Sequence, residues 1–116
     1  MILVDATIWV EHFRFGHKAL IDALEGSLVV THPFVIGELA CVNLGQRGAT
    51  LKLLDQLPKA PVASDAEVRH MIEERELYGS GLGWMDMHLL ASVRLMPGGE
   101  LWTRDKKLKS MSRGLS

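Results

Sequence analysis

Short apolar runs alternate with longer segments of helical periodicity along this chain of 116 residues. Mainly apolar residues at 2–4, 28–30 and 100–103 predict buried strands, and residues 61–63 predict a further short strand. Apolar residues at helical spacing predict helices over 7–15, 17–25, 33–44, 51–57, 64–78 and 85–96, and a last helix that begins at Asp105. This alternation predicts parallel strand pairing and an α/β fold, in one domain that spans residues 1–116.

Four acidic residues lie where such a fold would bring them together. Asp5 and Asp105 follow predicted strands, whereas Glu38 and Asp86 lie near the starts of predicted helices. Parallel α/β sheets bind ligands outside the carboxyl ends of their strands, so we expect the four acids at one rim. Two carboxylates about 5 Å apart repel by roughly 3 kcal/mol at an effective dielectric constant near 20. A cluster of four therefore indicates a bound Mg²⁺ or Mn²⁺ ion and favours a metal-dependent phosphoryl-transfer enzyme.

Each of these polar residues also has a purely structural interpretation. Asp86 is equally suited to the N-terminus of a helix, where a carboxylate is stabilised. Thr7 and Thr103 lie two residues from Asp5 and Asp105, so their hydroxyls could orient a carboxylate. Thr7 is also a good helix N-cap, and Thr103 is an ordinary strand residue. The functional interpretation depends on the whole set rather than on one residue.

Charge is unevenly distributed, although the net charge of the chain is only -1. From Arg104 onward five Lys and Arg residues stand against Asp105 alone, so this stretch carries +4 and the rest of the chain carries -5. One interpretation is a solvated, basic C-terminal helix. The other is a surface that attracts phosphate groups beside the acids, formed by Arg104, Lys106, Lys107 and Lys109.

The cellular compartment is predicted from features that the sequence does not have. Cys41 is the only cysteine, so no internal disulfide forms, and we expect it to be buried on an apolar helix. The chain opens on a strand rather than on a signal peptide, and no apolar stretch approaches the ~20 residues that cross a bilayer. We therefore expect a cytoplasmic protein without a membrane partner.

Several segments together resemble those of a known family. Residues 2–9, the helix that carries Glu38, residues 83–90 and residues 101–106 resemble the corresponding parts of PIN-domain ribonucleases. Within that family they are similar to the VapC toxins of bacterial toxin–antitoxin pairs. The resemblance covers nearly the whole chain and keeps the acids in the family's order.

The resemblance implies a three-layer α/β/α domain with a parallel sheet of four to five strands, and a Mg²⁺- or Mn²⁺-dependent endoribonuclease. It assigns metal binding and catalysis to Asp5, Glu38, Asp86 and Asp105, and a catalytic hydroxyl to Thr103. It also implies an RNA substrate, a cognate antitoxin and a homodimer. The chain departs from the family after Leu108, where a final apolar strand is not evident.

Three alternatives make different demands on the sequence. A haloacid-dehalogenase-type phosphatase requires a second Asp two residues after the first, where this chain has Thr7. A receiver-type binding module requires paired acids at the end of the first strand, where only Asp5 is present. A catalytically inactive PIN-like protein that only binds a partner would not need all four acids.

Overall fold

The computed structural model describes residues 1–115. Its strands are β1 (Ile2–Val4), β2 (Val29–Val30) and β3 (Glu100–Trp102). Its helices are α1 (Ala6–Phe15), α2 (Lys18–Glu25), α3 (Pro33–Ala40), α4 (Arg47–Gln56), α5 (Asp65–Glu74), α6 (Trp84–Arg94) and α7 (Lys106–Leu115). The predicted alternation of strands and helices is confirmed, with most boundaries shifted by a few residues.

The three strands form one parallel sheet in the order β2-β1-β3. Side chains of β1 point alternately to the two faces of the sheet, and Leu3 and Val4 are both completely buried. Both faces of the sheet are therefore covered. Helix α1 packs against α3 and α3 against α4, whereas α5 packs against α6, and α6 against α7 and β3. This is the α/β architecture that the sequence predicts.

The expected sheet of four to five strands is wrong for the described residues. Beyond β2 the sheet is extended by a single bridge, in which Thr31 pairs with Lys59, and residues 61–63 form no strand. The N–H of Thr31 donates to the carbonyl of Pro58 at 2.9 Å, and the N–H of Ala60 donates to that of Thr31 at 2.7 Å. Pro58 and Pro61 flank this bridge and have no N–H to extend it. Residues 106–115 are helical, so they add no strand beside β3.

Helix α3 ends earlier than predicted, at Ala40 rather than near residue 44. The Arg47 guanidinium donates to the carbonyl of Val42 at 2.9 Å and also to that of Ala40, so it satisfies acceptors that a longer helix would have used. Cys41 consequently lies at the end of the helix. It is exposed, so the expectation that it is buried is wrong.

Within residues 1–115, no helix combines the length and apolarity that crossing a bilayer would require. The longest helix, α6, has 11 residues.

Because β1 is the central strand, truncating one of its side chains should leave a cavity at the centre of the core. We expect Leu3→Ala to lower the free energy of unfolding by about 2–5 kcal/mol in urea denaturation. The control is Leu53→Ala, at a leucine that is 66% exposed, for which we expect a change within about 0.5 kcal/mol. Equal losses in both variants would contradict this account of the core.

Candidate active site

The Asp5 carboxylate lies between the end of β1 and the start of α1, and it is only 6% exposed. One of its oxygens, Oδ1, accepts the N–H of Ala6 at 2.8 Å. The other, Oδ2, accepts the Thr7 hydroxyl at 3.0 Å and the Thr103 hydroxyl at 2.7 Å. Three donors therefore fix a buried carboxylate that forms no ion pair with any residue of the described chain.

The two hydroxyls also join β1 to the segment that leads into α7. The oxygen of Thr103 accepts the N–H of Asp105 at 3.1 Å, and the oxygen of Thr7 accepts the N–H of Arg104 at 3.1 Å. Each threonine thus donates to Asp5 and accepts from the backbone of the β3–α7 connection. This geometry supports the interpretation of both hydroxyls as groups that orient a carboxylate.

The charges of neighbouring acids raise the pKa of Glu38 and the pKa of Asp86. Burial raises the pKa of Glu38, and the charges of Asp5 and Asp86 raise it further. Burial likewise raises the pKa of Asp86, where the N–H of Gly83 acts in the opposite direction and the charges of Asp5 and Asp105 add to the increase. Asp5, Glu38 and Asp86 therefore form one group of repelling charges, which Asp105 joins through its repulsion of Asp86.

Asp86 and Asp105 additionally stabilise helix starts, as their structural interpretation predicts. An oxygen of Asp86, Oδ2, accepts the N–H of Gly83 at 3.4 Å at the beginning of α6. An oxygen of Asp105, Oδ1, accepts the N–H of Leu108 at 3.0 Å at the beginning of α7. In each of these carboxylates the second oxygen accepts no hydrogen bond within the described chain. The same side chain can therefore stabilise a helix start and bind a cation.

The donor set fits a hard divalent cation. Asp86 Oδ1, Asp105 Oδ2 and both oxygens of Glu38 have no hydrogen-bond partner in the described chain. Across residues 1–115 no three such side chains are close enough to form a ready-made ligand cage. The carboxylates are thus electrostatic neighbours rather than a closed set of ligands. Mg²⁺ suits this arrangement because it keeps several waters and binds only one or two carboxylates directly.

Comparisons with known proteins show the family to which the chain belongs. The PIN domain family matches residues 2–114. The chain is 44% identical over 110 residues to Ribonuclease VapC32 of Mycobacterium tuberculosis strain CDC 1551 / Oshkosh, and equally to that of strain ATCC 25618 / H37Rv. Each alignment covers 95% of this chain and 89% of the relative. The chain belongs to the PIN domain family. The resemblance seen in the sequence is therefore confirmed.

The four basic residues predicted to contact RNA have different surroundings in the structure. Arg104 binds Glu11 through two nitrogens, and its second contact is 2.8 Å long. The side chain of Lys107 lies against Gly81. Lys109 and Arg104 both line a groove beside β3. Lys106 is exposed. The ion pair between Glu11 and Arg104 was not predicted from the sequence. Its only signal there is the position of Glu11, one helical turn after Thr7.

Two buried histidines support the helices that carry the acids. The Nδ1 of His32 accepts the N–H of Phe34 at 3.0 Å and so caps α3, the helix of Glu38. Burial, and to a lesser extent the charge of His88, lowers the pKa of His32 to about 4. The Nε2 of His88 on α6 contacts Asp65 at 3.1 Å. At neutral pH His32 is therefore an uncharged cap.

The pKa of Glu38 gives a test of the repulsion without any metal. Because the folded protein raises this pKa, ionisation of Glu38 destabilises the fold as pH rises above the ordinary value of 4.5 and through the raised pKa. We expect Glu38→Gln to raise the Tm of the metal-free protein by a few degrees at pH 7, by progressively less as pH falls toward 4.5, and not at all well below that value. Thermal unfolding monitored by circular dichroism over this pH range measures the effect.

The matched control is Glu73→Gln, at an exposed glutamate on α5. Its Tm should follow that of the unsubstituted protein at every pH. The opposite result is a Tm at pH 7 that is lower for Glu38→Gln than for the unsubstituted protein, although the two agree at pH 3. It would show that ionised Glu38 stabilises the metal-free fold.

Proposed function

We propose that this protein is a metal-dependent endoribonuclease and the toxin of a VapBC-type toxin–antitoxin pair. The observation that carries the proposal is the group of carboxylates in which Asp5, Glu38 and Asp86 repel one another and Asp105 repels Asp86, in a chain that belongs to the PIN domain family. The 44% identity to proteins named Ribonuclease VapC32 supports RNA as the substrate. The proposal treats residues 1–116 as one nuclease domain of the three-layer α/β/α type.

We assign metal binding and catalysis to Asp5, Glu38, Asp86 and Asp105. A Mg²⁺ or Mn²⁺ ion held there would neutralise charge on the scissile phosphate and make a bound water more acidic. Asp5 has about four lone-pair sites, of which three are occupied by donors, so about one remains for a cation. Thr103 acts through Asp5, because its hydroxyl fixes the carboxylate in one orientation.

Phosphate contacts are assigned to Arg104, Lys106, Lys107 and Lys109. Lys106 and Lys109 are exposed and lie near Asp105, which supports a role in positioning the RNA backbone. Arg104 would have to exchange Glu11 for a phosphate. Contacts of this kind hold a strand in place without distinguishing its sequence.

The proposed partners are RNA, a cognate antitoxin protein and a second copy of the chain, in the cytoplasm. A free cysteine, Cys41, fits a reducing compartment. No observation favours the alternative of a catalytically inactive partner-binding protein. The raised pKa values of Glu38 and Asp86 support a group of repelling acids, which partner binding alone would not require.

Replacing Asp5 should remove cleavage without unfolding the protein. We expect Asp5→Asn to lower the rate of Mg²⁺- or Mn²⁺-dependent cleavage of a total RNA pool by more than about a hundredfold, because losing residues that only orient metal ligands already costs about 10–100-fold. The asparagine can still accept from Ala6, and its amide can donate to the two hydroxyls. Asp55→Asn, the same change at an exposed aspartate, is the control and should cleave normally.

Metal binding supplies a second readout of the same variant. Millimolar Mn²⁺ should raise the Tm of the unsubstituted protein and of Asp55→Asn, because a ligand that binds only the folded state stabilises it. The same concentration of Mn²⁺ should raise the Tm of Asp5→Asn much less. Cleavage that persists in Asp5→Asn or in the presence of a chelator would refute the proposed site.

The proposed homodimer has a candidate contact surface at the end of α1. Phe15 is 84% exposed there, and Phe13 is 40% exposed. We expect Phe15→Ser to weaken self-association by about tenfold or more in analytical ultracentrifugation, as for an aromatic anchor. Leu53→Ser is the control, because Leu53 is also exposed but lies on α4. A larger effect of the control would place the interface elsewhere.

A further inference from the structure

Trp84, His88 and Phe34 form an aromatic cluster where α3 meets α6. The ring of His88 lies at its centre, and its centroid is 4.8 Å from that of Trp84 and 4.8 Å from that of Phe34. The ring planes meet at 83° and 66°, so both contacts are of the edge-to-face type. Trp84 is 42% exposed, whereas His88 is only 2% exposed. The aromatic cluster therefore presents one large ring to solvent on a buried support.

Neighbouring groups hold Trp84 in place. The Nε2 of His88 lies 3.1 Å from Oδ1 of Asp65, the first residue of α5, and this contact restrains the plane of the imidazole. His88 lies one helical turn after Trp84 on α6, so its ring packs directly against the indole. A ligand that contacts the exposed part of the indole therefore meets a side chain whose rotational freedom is already reduced, which lowers the entropy lost on binding.

The same two helices carry two of the acids. Glu38 lies one helical turn after Phe34 on α3, and Asp86 lies two residues after Trp84 on α6. The charge of Asp86 raises the pKa of Glu38, so these two acids are also neighbours in space. The aromatic cluster therefore borders the group of acids, and a chain molecule bound at one can reach the other.

The charges around the aromatic cluster restrict what it can bind. Asp65 contacts its central ring, that of His88. Glu38 and Asp86 lie on the adjoining turns of α3 and α6, so carboxylates border the cluster. They would repel a phosphate group or another carboxylate placed over Trp84. A nucleic-acid base is flat and uncharged, and bases of every kind stack on exposed aromatic rings.

The exposure of Trp84 is separate from the grooves that α7 borders. Two grooves in the described part of the chain reach Leu115, and Trp84 lines neither of them. The exposed ring therefore belongs to the α3 and α6 side of the molecule, where the neighbouring acids lie.

We propose that Trp84 stacks on an unpaired base of the RNA, next to the phosphodiester bond on which the acids act. This inference rests on the proposed function, because it takes RNA as the substrate, and it adds how one nucleotide is held. Stacking requires a base that is splayed out of any duplex, so the bound segment is single-stranded. Since every base has a flat face, Trp84 contributes affinity without reading a sequence.

Stacking can be observed in the presence of a chelator, where no cleavage occurs. The probe is octaadenylate, and NMR follows the ring signals of the three tryptophans. We expect the signals of Trp84 to move upfield, because a stacked base shields them. Those of Trp9, which is 3% exposed, should stay in place. An octamer with the same phosphates but abasic riboses should leave Trp84 unshifted and bind about tenfold more weakly.

Variants of the protein test the contribution of the indole. Trp84→Ala should weaken binding of octaadenylate about tenfold, as the loss of one stacked base predicts, and Trp84→Phe should retain most of it. The matched control is Tyr78→Ala, because Tyr78 is an aromatic residue that is 60% exposed and lies outside the aromatic cluster. It should bind octaadenylate as the unsubstituted protein does. The Tm of each variant verifies that it is folded.

Three results would overturn the proposal. In the first, the abasic octamer shifts the signals of Trp84 as much as octaadenylate does. In the second, Trp84→Ala and Tyr78→Ala bind octaadenylate equally well. In the third, an acetylated and amidated hexapeptide in which Leu and Ser alternate shifts Trp84 when octaadenylate does not, which would assign the ring to a protein partner.

The failure of this inference is distinguishable from the failure of the proposed function. If octaadenylate stacks on Trp84 but the protein cleaves no RNA, the base-binding site stands and the nuclease proposal fails. If the protein cleaves the total RNA pool and Trp84→Ala cleaves it at the same rate, the nuclease proposal stands and the stacking of a base on Trp84 is refuted.

Discussion

A hydrogen bond of 2.7 Å joins Thr103 to Asp5, residues that are 98 positions apart in the chain. It exists because β1 and β3 are adjacent parallel strands whose carboxyl ends lie at the same edge of the sheet. That pairing brings the first acid of the site to the segment that carries the last one. The buried strand β1 tolerates little displacement, so repulsion around Asp5 is not relieved by movement of the backbone and instead raises the pKa of Glu38 and of Asp86.

Helix starts explain how the fold tolerates so much negative charge. Asp5, Asp86 and Asp105 each accept a backbone N–H at the beginning of a helix, namely α1, α6 and α7. The positive end of a helix stabilises a nearby carboxylate. Glu38 lies inside α3 without such a donor, and every influence on its pKa raises it. A divalent cation near Glu38 would therefore offset the burial and the repulsion that raise this pKa.

The sequence predicts this arrangement well where the signal is local. The order of strands, helices and acids follows from periodicity and from which residue comes after a strand. Partners that are distant in sequence carry no such signal: Glu11 and Arg104 are 93 positions apart, and their ion pair depends on how α1 meets the β3–α7 connection. The predicted extension of α3 failed for the same reason, because the side chain of Arg47 returns to cap it. The sheet is narrower than expected because two prolines limit the bridge at Lys59.

The buried His32 shows how a residue outside the acid group can still determine its geometry. Its Nδ1 can accept the N–H of Phe34 only when the ring is not doubly protonated. Burial keeps the pKa near 4, so the neutral form persists well below the ordinary pKa of 6.5, and the stabilisation from this cap is lost only as pH falls from that range toward 4. Protonation of Glu38, whose pKa is raised by burial and by the charges of Asp5 and Asp86, relieves repulsion on the helix that His32 caps. Acid therefore weakens the placement of Glu38 while it removes the charge that makes the placement costly.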